Sequence, residues 1–180
     1  MAGPASVAPG SLPGVGMWIC FLGLQSSGFP GDAADFEALF DVKFDELRQW
    51  VRAGEAVWLE SGFFELNEVY RPRHSPGGDR ELPVFGGRHI PDPGGGPGHV
   101  ALDPPDVARA AAYLERVSFP DLWQEWRQLP SANARDLAEL RRRHADEELR
   151  ERLTEYHEAL RAFYGSSAER GWAVAKSFSF

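Results

Sequence analysis

WAVAKSFSF, residues 172–180, sets Trp172, Val174, Phe178 and Phe180 in alternation with Ala173, Ala175, Ser177 and Ser179. A two-residue period is the mark of a half-buried strand, because successive side chains of an extended backbone point to opposite faces. At the other end of the chain MWICFLGL, residues 17–24, is a β-branched and aromatic run that also has strand character. The chain therefore begins and ends with strands around a mostly helical middle. That order predicts an α+β fold: a small mixed sheet from the chain ends and a central hairpin, packed against several helices.

Working inward from the last strand, Gly171 stops a helix. One long amphipathic helix, straight or kinked, is predicted from about 135 to 170, with Leu137, Leu140, Leu149, Leu153, Tyr156, Leu160 and Phe163 on its inner face. Its seven Arg and eight Asp or Glu between 134 and 161 are interleaved, several at the supportive four-residue spacing, so they read as a solvated face. Inward from the first strand, Asp32 or Asp35 can cap a helix. Phe36, Leu39, Phe40, Phe44, Leu47 and Val51 recur along that helix at three- and four-residue steps up to a stop at Gly54.

The middle holds shorter pieces. EAVWLESGFFELNEVY, residues 55–70, is rich in Glu and broken by Gly62, which predicts two short helices. LPVFGGRHI, residues 82–90, reads as two strand arms around Gly86 and Gly87. PDPGGGPG, residues 91–98, reads as a loop with no fixed conformation of its own. His99–Leu102 extends briefly before Asp103 caps a helix with Pro104 at its first position and Val107, Ala110, Ala111, Leu114 and Val117 inward. A further helix after Pro120 turns Leu122, Trp123 and Trp126 inward.

Length and composition bound the rest. The 180 residues suit one domain, and a hydrophobic fraction of 43% with six Trp and twelve Phe suffices for its core. Residues 1–16, MAGPASVAPGSLPGVG, lack bulk to bury and are expected to form a disordered tail before a single domain over 17–180, with Met17 an equally sensible start. Val15–Leu24 has no preceding Lys or Arg and is too short to span a bilayer, so neither a signal peptide nor a membrane partner is expected, and the protein is expected in the cytoplasm. A net charge of -8 argues against nucleic acid as a partner. Cys20 is the only cysteine and sits between Ile19 and Phe21, the setting of a buried, inert thiol.

No phosphate-binding glycine loop, HExxH, CxxC or calcium loop is present. His89 and His99 bracket the glycine-rich loop and could approach each other, with Asp92 or Asp103 as a third ligand or orienting carboxylate. His144 and His157 lie off a common helix face. Trp58, Phe63, Phe64, Tyr70, Trp123 and Trp126 can line a pocket, although aromatics at helical spacing serve mainly as core.

VALDPPDVARAAAYLERVSF (100–119) and EALRAFYGSSAERGWAVAKSF (158–178) resemble the YfbM-like family of small bacterial proteins, a domain of unknown function. The resemblance extends over 17–180 and rests on strand, cap and helix punctuation. It implies an α+β fold and a bacterial cytoplasmic setting, and it assigns no activity. The combined reading favours a non-enzymatic interaction protein, of accessory or immunity type, whose acidity suits a basic protein partner. No catalytic, cofactor or metal residue is assigned; the alternative is an enzyme using His89, His99 and nearby carboxylates.

Overall fold

The computed structural model describes residues 17–41, 44–71, 78–128 and 146–179. Among the described residues five strands form one sheet in the order β2-β1-β5-β4-β3: β1 Trp18–Leu24, β2 Ala56–Glu60, β3 Arg88–Ile90, β4 His99–Leu102 and β5 Ala173–Ser179. Every neighbouring pair is antiparallel, so the sheet expected to be mixed is not. The last strand is the central one. It pairs along its length with β1, Trp18 opposite Ser179 through Leu24 opposite Ala173, and on its other side with β4.

The half-buried reading of that strand needs correcting, because both of its faces are covered. Val174, Lys176 and Phe178 share a face with Ile19, Phe21, Val57, Leu59, Val100 and Leu102. This face packs on α3 Phe63–Tyr70, α4 Pro104–Arg116, α5 Phe119–Gln128 and α6 Asp146–Glu169. The small residues Ala173, Ala175 and Ser177 are buried on the other face, beneath α1 Ala33–Phe40 and α2 Phe44–Arg52. Small side chains make room for a second helical layer, which gives them the same sequence signature as a solvent face.

Local chemistry sets the helix ends. Asp32, not Asp35, caps α1: its carboxylate accepts from the Asp35 N–H at 3.0 Å. The single helix expected from Phe36 to Val51 is two, α1 ending at Phe40 and α2 beginning at Phe44. Asp103 occupies the cap position of α4 with Pro104 following, but its side chain makes no capping bond. In α6 the inner residues Leu149, Leu153, Tyr156, Leu160 and Phe163 are buried as expected, whereas Leu137 and Leu140 lie outside the described residues, as do His74, His144 and residues 1–16.

Two segments change type. Ala56–Glu60 is a strand, not a helix, because pairing with β1 outweighs the helical preference of its flanking glutamates. Gly62, at φ 87°, then turns the chain into α3, a left-handed conformation that favours glycine. The hairpin lies further along than expected: β3 pairs with β4 across the 91–98 loop, while residues 82–85 are turns. That loop is ordered by one side chain, Asp92, whose carboxylate accepts from Gly94 N–H at 2.6 Å and Gly96 N–H at 2.8 Å.

Candidate functional site

The hairpin decides the fate of the two histidines. His89 lies opposite Val100 and Ile90 opposite His99. Residues directly opposite share a face and successive residues alternate, so the two imidazoles point to opposite sides of the sheet. His89 is exposed, with Nε2 3.4 Å from the Pro97 carbonyl. His99 is 8% exposed and lies beneath α1, its ring stacked on Phe36 (centroids 5.5 Å apart) and Phe40 (5.7 Å). Its Nδ1 has no hydrogen-bond partner. Burial draws the pKa of His99 below its ordinary value against the opposing pull of Glu37 and Asp92.

The two carboxylates do not complete a site with either ring. Asp92 is engaged by its own loop, and Asp103 is exposed at the start of α4. Among the described residues no group of three His, Cys, Asp or Glu side chains gathers in an arrangement able to hold a metal ion. Cys20 is buried as its neighbours suggested, and desolvation pushes its thiol up to about 12, far from a nucleophile at neutral pH.

Lys176 escaped the sequence reading and is the most unusual group in the fold. It is 0% exposed on the inner face of the central strand. Its Nζ donates to the carbonyls of Leu82 at 2.5 Å, Val84 at 2.9 Å and Gly86 at 2.9 Å. Burial pulls its pKa well below the ordinary lysine value, with Asp106 opposing. Three carbonyl oxygens act against that pull as well, since only the ammonium form has three N–H groups to give to three acceptors. The signal was in the sequence: Lys176 falls in phase with Val174 and Phe178, and only one other lysine exists in the chain.

A second buried polar group ties the helices together. His157 of α6 is 1% exposed, and its Nδ1 lies 2.9 Å from the hydroxyl of Tyr70 on α3, with the Phe119 ring beside it. Burial lowers the pKa of His157 and raises that of Tyr70, which keeps both neutral. Of the aromatic candidates, Phe63, Tyr70, Trp123 and Trp126 are core, and Trp58 stacks on Trp18 at 4.5 Å. Phe64 differs. It is 40% exposed, 5.2 Å from half-buried Phe85, with exposed Glu68 one helical turn further along α3.

A family profile described as a domain of unknown function (DUF1877) matches residues 73–176, more than half of the chain. The chain belongs to this family. The DUF1877 match takes in both parts of the lysine cage, the 82–86 turns and Lys176, together with His99 and His157. Among solved structures the chain is similar to YfbM, a protein of unknown function from Escherichia coli, with a TM-score of 0.54 at 12% identity over 90% of this chain and 99% of that one. At that identity the likeness concerns the fold, and at 90% of this chain it extends beyond the DUF1877 match. None of the curated proteins compared with the chain matches it. Among the described residues no helix is long and apolar enough to cross a membrane.

Proposed function

We propose that this DUF1877 protein is a non-enzymatic interaction module of a bacterial cytoplasm whose partner is a basic protein, with neither nucleic acid nor membrane as its target. The observation that supports it most directly is the exposed ring of Phe64 against Phe85, on a helix whose other charged residues before Arg71 are Glu65 and Glu68, with Glu60 exposed just ahead of it. An aromatic anchor with a polar rim is the usual makeup of an interface. The carboxylates beside Phe64 suit a cationic partner although Arg71 and Arg152 lie nearby, and the net charge of -8 adds long-range attraction.

The test is capture from native-host lysate with the wild-type chain and with Phe64→Ala and Glu68→Lys variants as bait. A stoichiometric basic protein, released by salt and lost from both variants, supports the reading. A thermal-shift screen with metals and metabolites runs beside it, since a ligand that binds only the folded state raises the melting temperature. A shift with a small molecule, together with no protein captured, overturns the reading in favour of an enzyme.

A further inference from the structure

We propose that His99 is a proton-operated latch that holds helix α1 on the sheet. The geometry carries the argument. Helix α1 has one fully buried residue, Phe36; the rings of Phe36 and Phe40 stack on the His99 imidazole, at the centre of a contact with the sheet that Ala33 and Leu39 complete. A neutral imidazole has one N–H, whereas the imidazolium has two. Nδ1 is buried and has no acceptor within reach, so the second proton places a charged N–H where nothing receives it.

The groups that face the ring from each neighbouring element are few. Glu37 of α1 and Asp92 of the 91–98 loop are the carboxylates that act on it, and both favour the proton. Arg88 of β3 shares its face of the sheet. From β5 the neighbour is Ser177, while Lys176 points to the other face. Burial outweighs the carboxylates. Uptake of a proton is therefore coupled to release of α1, and the helix is held at neutral pH and loosened in acid.

The chain contains its own reporter. Cys20 lies in the same cross-strand row as Ser177 and His99 and is buried in a cluster that includes Leu39 and Phe40 of α1. The experiment measures the labelling rate of Cys20 by 4,4′-dithiodipyridine, which reacts in mild acid, relative to the urea-unfolded chain at the same pH. Between about pH 7.5 and 5.5 the relative rate of the wild type is expected to rise severalfold, because the loosened state takes up the proton that the held state refuses. In His99→Phe it is expected to stay level. His99→Gln, which cannot titrate, is read in the same way if the phenylalanine variant does not fold. His157→Gln, which leaves the latch intact, is expected to keep the rise. A flat wild-type profile, a rise that survives replacement of His99, or a rise abolished by His157→Gln overturns the proposal.

Discussion

Replacing Lys176 by methionine keeps the apolar stem of the side chain out to Cε and removes only its ammonium, so little cavity is created. What remains is a set of acceptors without a donor. The Leu82 carbonyl still receives the Tyr164 hydroxyl at 3.3 Å, and the Gly86 contact is only partly buried and open to hydration. Val84 is 0% exposed, and its carbonyl is left orphaned. A buried unsatisfied polar group costs ~1–3 kcal/mol, and a lost hydrogen bond to a charged donor ~1.5–3 kcal/mol. Relief of burying the ammonium offsets part of this. Exchanging both members of a buried polar pair for apolar groups is often neutral or stabilising, but here only one partner leaves. The net expected loss is about 2–4 kcal/mol, or ~4–16 °C in melting temperature for a domain of this size. Urea unfolding followed by tryptophan fluorescence reads it as a lower midpoint at unchanged slope. A Lys176→Met protein as stable as the wild type would refute the claim that this ammonium organises residues 82–86.

Two further outcomes follow from buried groups. Because burial holds the pKa of His157 below its ordinary 6.5, the unfolded chain takes up a proton that the folded one refuses. Its contribution to stability is full above about pH 6.5 and is lost as the pH falls below that. Urea titrations between pH 7.5 and 5 should show a shallower decline in His157→Gln than in the wild type, and equal slopes would contradict the assignment. Gly87 sits at φ 131°, and a Cβ there would meet the Ala101 carbonyl oxygen at 2.7 Å. Gly87→Ala should cost at least ~1–3 kcal/mol by thermal melting, whereas Gly28→Ala, with open space and no left-handed backbone, should stay within about 1 kcal/mol.

The sequence showed the layout where local signals and tertiary needs agreed. The chain-end strands, the α4 and α5 helices, and the inner face of α6 all follow periods that no competing interaction disturbed. Ala56–Glu60 was misread because strand pairing is a contact with distant residues, Leu59 with Ile19 and Val57 with Phe21, to which flanking glutamates give no clue. Residues 82–85 read as a strand arm because Leu82 and Val84 are apolar and buried, while the carbonyls of these two residues in fact turn toward Lys176, 94 and 92 residues later. The His89 and His99 pair was plausible by proximity, and only the hairpin register sends the two rings apart. Exposed Phe64 was visible as a residue but not as a surface, since adjacent Phe63 is wholly buried.

The central place of β5 bears on how the chain is made. Strand β1 pairs with β2 on one side, β4 pairs with β3 on the other, and among the described residues no strand pairing joins the two ribbons except through residues 173–179. A ribosome working at ~5–20 residues per second needs about 8–30 s to travel from β1 to β5. In the later part of that interval, once His99–Leu102 has been made, the nascent polypeptide has the sequence of two ribbons whose inner edges lack a partner strand, one of them bearing Ile19, Phe21 and Cys20. Such edges invite pairing with other chains, so recovery of soluble protein is governed by how well newly made chains are shielded before the closing strand emerges.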